Sequence, residues 1–265
     1  MTPAGPEPTI DLPPGGSGVL ARRHLLQAIE AGAIGSDRPI PDSNVQPASL
    51  DLRLGPVAYR MRCSFLPGTD TVERKLRDHI IDELDLRDDG AVLETNRPYL
   101  VALEERLALP PGVRAKANPK SSTGRVDVFT RVITDHSFRF DEVATGYRGP
   151  LFLEIVPLSF AVLVREGLSL NQLRLSVGRT QLSDDEIATF HEQTHHLLLR
   201  DGVAVPAGEL ALADGLFLSL DLKGDRDGRV GYKARENAPR LNLTAGAPID
   251  PAPYFEPVSR EDGNR

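Results

Sequence analysis

One carboxylate in this chain breaks the pattern of its surroundings. Glu154 lies within Pro150–Pro157 among Leu151, Phe152, Leu153, Ile155 and Val156, all of which favour burial. A charge on a buried strand needs partners. The nearest supply along the chain is the bend Lys120-Ser121-Ser122-Thr123-Gly124-Arg125. The expected arrangement is one pocket faced by both. Its basic and hydroxyl groups would bind an anionic ligand, and the glutamate would move protons. The alternatives are an acid pointing to solvent from a half-exposed strand and a bend whose hydroxyls bond their own backbone.

The charge around these residues points the same way. Between Val113 and Pro150 there are seven basic residues (Arg114, Lys116, Lys120, Arg125, Arg131, Arg139, Arg148) and four acids (Asp127, Asp135, Asp141, Glu142). The whole chain has a formal net charge of −7, so it should repel nucleic acid, while the local surplus suits a compact polyanion such as a nucleotide phosphate. A solvated loop with assorted ion pairs is the alternative.

A second reactive pattern follows. His191-Glu192-Gln193-Thr194-His195 spells H-E-x-x-H on an expected helix, beside His196. Two histidines four apart share a helix face and can hold zinc while a glutamate activates water. No third ligand follows, and the segment joins two β regions. A polar linker helix is the expected reading, and no metal site is assigned.

The elements that must position these residues are mostly strands. With 265 residues and 40% hydrophobic content the chain can form a sizeable core; 5% aromatic content and no Trp make it aliphatic. The 22 Pro and 23 Gly imply many turns, as in all-β folds. The single Cys63 excludes an internal disulfide framework. No run reaches the length of a membrane span and no signal-peptide pattern opens the chain, so a cytoplasmic, membrane-free protein is expected.

In chain order, 1–18 is expected to be a disordered tail, rich in Pro and Gly. Val19–Ala33 reads as a helix on Leu25, Leu26 and Ile29. Gln46–Gly55 alternates as a half-buried strand, and Ala58–Cys63 reads as another. Arg74–Asp89 reads as a charged surface excursion. Leu93–Leu109 reads as two strands around a polar turn. Further strands are expected at Val126–Ile133, Pro150–Pro157, Phe160–Arg165 and Asn171–Val177. Ser183, followed by Asp184, Asp185 and Glu186, starts a helix with a capping box, running to about Leu199. Beyond it, Ser219-Leu220-Asp221-Leu222-Lys223 echoes Ser49-Leu50-Asp51-Leu52-Arg53, and Tyr232-Lys233 echoes Tyr59-Arg60. The echo reads as the opening of a second, incomplete copy of the first domain. The expected organisation is a tail at 1–18, a main domain at 19–180, a linker helix and connection at 181–213, and the start of a second unit at 214–265.

Four of these stretches, in order, resemble motifs of the dCTP deaminase/dUTPase superfamily. Gln46–Gly55 resembles its early strand motif. Lys120-Ser121-Ser122 with Arg125 is similar to its Arg-Ser-Ser motif and the deaminases' second arginine. Gly146-Tyr147-Arg148-Gly149 with Leu153-Glu154 is similar to the run that carries the deaminase's catalytic glutamate. Gly167–Gln172 is similar to a later motif with a glutamine on a strand. The resemblance spans Val19–Val177. The chain departs from the pattern at Lys120, where arginine is usual, and in a loop from Asp141 to Gly146 longer than the family's tight turn.

The resemblance implies an all-β, distorted jelly-roll (dUTPase-like β-clip) domain with an N-terminal helix. It implies a homo-oligomer, a trimer or a pseudo-trimeric arrangement of repeats, with sites between subunits. It implies zinc-independent, hydrolytic deamination of dCTP to dUTP, with Mg2+ bound through the substrate triphosphate. Glu154 would be general base and then acid, and Arg125 and Ser121 would steady the water and the developing charge. Lys120, Ser122 and Arg139 would contact phosphate, and Asp141 the deoxyribose. Tyr147 would stand by the sugar, its alternative being core packing, and Gln172 would complete the substrate site. The other readings of the whole are a dUTP diphosphatase and a non-catalytic nucleotide-binding or oligomerisation module. Zinc-dependent cytidine deamination needs a His/Cys/Cys-type site, which a chain with one cysteine does not offer.

Overall fold

The computed structural model describes residues 8–11, 16–194, 197–219, 222–246 and 249–259. The chain divides into two compact units. One comprises Met1–Arg179 with Glu236–Tyr254, and the other Thr180–Arg235 with Phe255–Arg265. Strands dominate, as the apolar runs and turn residues imply. They run β1 (Gly18–Val19), β2 (Ile34–Ser36), β3 (Leu50–Met61), β4 (Ile80–Asp85), β5 (Ala91–Leu93), β6 (Tyr99–Ala108), β7 (Val113–Pro119), β8 (Val128–Thr134), β9 (Glu142–Val143), β10 (Arg148–Pro157), β11 (Val162–Val164), β12 (Ser169–Val177), β13 (Leu199–Arg200), β14 (Val203–Ala204), β15 (Arg229–Ala234), β16 (Leu241–Asn242) and β17 (Phe255–Ser259). The helices are α1 (Arg22–Glu30), α2 (Val72–Leu76), α3 (Ser121–Arg125) and α4 (Asp184–Thr194).

The first unit is built on a ten-stranded sheet in the order β8-β10-β6-β3-β12-β7-β9, with β1 on β12, β2 on β6 and β4 on β3. A small second sheet holds β16, β11 and β5. β10 lies between β8 and β6, antiparallel to both. It is buried continuously from Leu151 to Ile155. A strand covered on both faces takes an unbroken apolar run instead of alternation, which is why Glu154 looks foreign there.

β3 is one long strand where the sequence suggests two. It passes β6 with a register shift between Leu54 and Ala58. Gly55 permits the passage, because a Cβ there would lie 2.5 Å from the Ala102 carbonyl oxygen. The expected half-buried alternation is corrected here: Asp51 and Arg53 are only 5% and 6% exposed. Their charges are met inside. Asp51 pairs with Lys120, and Arg53 pairs with Glu105 at 2.7 Å.

Three other expectations shift. α1 is shorter than expected, with β1 before it and β2 after it, and its buried face is His24, Leu25 and Ala28 while Leu26 is exposed. The charged region after Arg74 is no excursion. Its β4 pairs with β3, and Val72 and Leu76 of α2 join Met61, Leu100, Ile133 and Phe152 in a buried cluster, with Phe65 and Phe140 packed against it. β7, not foreseen, pairs with β12 over Val113–Pro119. Most of the expected tail lies outside the described residues, but Ile10 is buried and Gly18 already pairs with Val177.

In the second unit α4 begins with the foreseen capping box. The Ser183 N–H donates to Glu186 Oε2 at 2.7 Å, and the Glu186 N–H donates to Ser183 Oγ at 3.3 Å. The unit also holds a β13–β14 hairpin and the antiparallel pair β15–β17. His191 is buried, with Nε2 at 2.6 Å from the Val205 carbonyl oxygen. His195 and His196 lie outside the described residues, as do Leu220 and Asp221 of the internal echo. Among the described residues, no helix is long and apolar enough to cross a membrane.

Candidate active site

Glu154 is fully buried, and its compensation comes from a residue that the sequence marks only as one of the local basic surplus. Arg131 stands directly opposite it on β8. Directly opposed residues project to one face with Cβ atoms about 5 Å apart. Arg131 Nε and Nη2 both donate to Glu154 Oε1, at 3.0 and 2.5 Å. Nη2 also donates to Ser64 Oγ at 2.8 Å. The guanidinium stacks 3.7 Å from the centre of the Phe140 ring and 5.0 Å from that of Phe129. Glu154 Oε2 is buried without a hydrogen-bond partner among the described residues. The expectation that the Lys/Ser/Arg bend supplies the partner within one chain is therefore corrected. Cross-strand register outranks proximity in sequence. The signal was present: Arg131 is itself a charge inside the apolar run Val128–Thr134.

The bend is elsewhere. Ser121–Arg125 forms α3, with Lys120 as its N-terminal flanking residue. Lys120, Ser121, Ser122 and Gln172 line one cavity of about 460 Å³, together with Asp51 and Arg174. Ser121 and Ser122 are exposed. The Lys120 ammonium pairs with Asp51, which anchors a single point charge where an arginine fork is usual. Gln172 Oε1 accepts from Ser49 Oγ at 2.9 Å. Arg125 is exposed and lines neither this cavity nor the next.

Arg139 lines a second cavity of about 400 Å³ with Arg114, Asp135, His136 and Glu142. It holds Glu142 at 2.9 Å and is three-quarters exposed. Asp141 and Tyr147 flank this region without lining it. Asp141 has φ of 62°. Its N–H donates to the Val132 carbonyl, and its Oδ1 accepts from the Val132 N–H, both at 2.8 Å. Burial pushes its carboxyl above the usual range, against the Val132 N–H and the charges of Arg131 and Lys116. The Tyr147 hydroxyl donates to the Pro150 carbonyl at 2.7 Å and accepts from the Asp135 N–H at 3.2 Å. A Cβ on Gly149 would lie 2.6 Å from that hydroxyl, so the glycine makes room for the tyrosine.

One chain thus brings together Lys120, Ser121, Ser122 and Gln172. It keeps Arg139 in another cavity and Glu154 in neither. Arg131 and Arg114 figured in the sequence only within the local basic surplus and Asp51 only within a strand motif, and Arg174 not at all. Arg114 on β7 and Arg174 on β12 lie on the same exposed face of the β7–β12 pair, where alternation along each strand would have shown them.

The comparisons agree with this architecture. Residues 16–179 match the model of the 2′-deoxycytidine 5′-triphosphate deaminase N-terminal domain, and residues 183–265 that of its C-terminal domain. A dUMP-forming dCTP deaminase of Methanothermobacter thermautotrophicus is 26% identical over 139 residues, 52% of this chain and 67% of that protein. A dCTP deaminase of Haloarcula marismortui is 25% identical over 166 residues, 61% of this chain and 82% of that one. The crystal structure of 2′-deoxycytidine 5′-triphosphate deaminase from Agrobacterium tumefaciens superposes with a TM-score of 0.83 at 40% identity, over 92% of this chain and 71% of that chain. The β architecture is therefore the dUTPase-like fold that the motifs imply, and the chain belongs to the dCTP deaminase family.

Proposed function

We propose that this chain deaminates dCTP hydrolytically, with Glu154 as the group that carries the proton. The observation behind this is Oε2, a buried carboxylate oxygen with no hydrogen-bond partner among the described residues. Leaving such an atom unmet is costly, and in native proteins it calls for an account, of which a catalytic role or a bound water is one. Oε2 would take one proton from water as the water oxygen adds to C4 of cytosine, and hand that proton to N3. It would then take the proton of the new C4 hydroxyl and give it to the amino group as the tetrahedral carbon collapses, and ammonia leaves. The balance is dCTP plus water to dUTP plus ammonia.

The other residues divide by position. Ser121 and Arg125 are exposed on α3 and not bonded to Glu154. They would steady the water and the developing charge from a neighbouring copy in a homo-oligomer, which completes the site. Lys120 and Ser122 would take phosphate in the first cavity, with Gln172 beside them, and Arg139 in the second. Asp141 would meet the deoxyribose through Oδ2, since Oδ1 is committed to the backbone. Tyr147 would act through its ring, its hydroxyl being committed likewise. The substrate is the magnesium complex of the triphosphate. The ion of this reading travels with the phosphates.

The test is incubation with dCTP and with dUTP in the presence of magnesium. Ammonia from dCTP is the expected result. Pyrophosphate from dUTP without ammonia, or binding without turnover, overturns the proposal. Glu154→Gln should bind dCTP normally and turn over roughly 10²–10⁴-fold more slowly.

A further inference from the structure

We propose that Arg131 is the positioning residue that decides which oxygen of Glu154 reacts, an inference that rests on the reading of Glu154 as proton carrier. Two donors of one guanidinium converge on Oε1, at 3.0 and 2.5 Å. With Oε1 saturated, the carboxylate plane is fixed and Oε2 alone is left for a water molecule. A guanidinium does this because it is planar and forked; an ammonium would pair with the charge without setting the plane.

Arg131 is in turn held on three sides. Ser64 accepts from Nη2 at 2.8 Å, Phe140 lies against the face of the guanidinium at 3.7 Å, and Phe129 is 5.0 Å away. A cation over an aromatic face in a partly desolvated site is a substantial restraint. Phe140 also falls between Arg139 and Asp141, the two loop residues assigned to phosphate and sugar. The loop that would meet the substrate and the carboxylate that would act on it are therefore joined through one stacked guanidinium. This is the geometry of preorganisation, in which a reacting group is oriented before the substrate arrives.

The experiment is steady-state ammonia release from the magnesium complex of dCTP, per folded chain, for Arg131→Met, Arg131→Lys, Glu154→Gln and the double variant Arg131→Met/Glu154→Gln. Arg131→Met should lower kcat by about 10²-fold, the usual cost of misplacing a reacting group, with KM little changed. Lysine should recover only part of the loss. In the Glu154→Gln background the methionine should add no further loss, since both changes act through one carboxylate. Wild-type kcat in Arg131→Met, a loss confined to KM, or losses that multiply in the double variant would each overturn the inference. If the methionine variant does not fold, the lysine variant decides by the same split. Full turnover in Glu154→Gln would remove the reading of Glu154 itself. An inactive Glu154→Gln beside fully active Arg131 variants would remove only the role of Arg131.

Discussion

The phenol of Tyr147 shows how a side chain read as a substrate contact can also be a structural clasp. Its oxygen bridges the Asp135 N–H and the Pro150 carbonyl, tying the end of β8 to the start of β10. Burial pushes its pKa up to about 12, from the ordinary 10. The folded chain therefore holds the phenolic proton in a window where the unfolded chain has released it. Stability from this group is complete below pH 10 and is lost as pH rises from 10 through 12. Tyr147→Phe removes that titration and leaves two backbone groups unmet, at a cost of about 1–2 kcal/mol near neutrality. Denaturant unfolding of both proteins at pH 7 and between pH 10 and 12 checks this. The variant should be weaker at pH 7 and flatter in the alkaline range. Parallel curves would mean that the clasp carries no such weight.

At the level of elements, β3 shows where the sequence is misleading. Alternation made Asp51 and Arg53 look like the solvent face of a half-buried strand. They are instead inward charges with inward partners. The Arg53 guanidinium meets Glu105 Oε1 at 2.7 Å, lies 3.0 Å from Glu104, and donates to the Pro39 carbonyl at 3.0 Å and to Ser36 Oγ at 2.8 Å. Glu105 is fully buried, and desolvation raises its pKa despite those bonds. Breaking one side of a buried pair strands the other, so Arg53→Met should cost about 3–5 kcal/mol in unfolding free energy. A loss under about 1 kcal/mol would show that water reaches Glu105. The strands that were legible, β10 and β12 above all, announced themselves by apolar runs between turn residues. The capping box at Ser183 was legible because it is local. What sequence could not give was register. Nothing along the chain states that Glu154 faces Arg131, or Asp51 Lys120, because each pairing is fixed by which strands become neighbours. α3 was hidden for a different reason: five residues with two serines and a glycine have little helical propensity of their own.

For the whole molecule, the residues assigned to the proposed site do not share one cavity within a chain. Lys120, Ser121 and Ser122 open on one cavity, Arg139 on another, and Glu154 on neither. Arg125 is exposed and, among the described residues, has no ion-pair partner within the chain. A cation and two hydroxyls left at the surface beside a short helix fit a role in an adjoining copy, and closed rings of identical chains provide that contact repeatedly. Shared sites make a prediction that no single-chain site makes. Glu154→Gln and Arg125→Ala should each be nearly inactive alone. Unfolded together and refolded in equal amounts, they should regain roughly a quarter of the wild-type rate, because one site in four then receives an intact glutamate from one copy and an intact arginine from its neighbour. Mixing without refolding should restore nothing until subunits exchange. If the mixture stays as inactive as its components while sedimenting as an oligomer, the glutamate and arginine act within one chain.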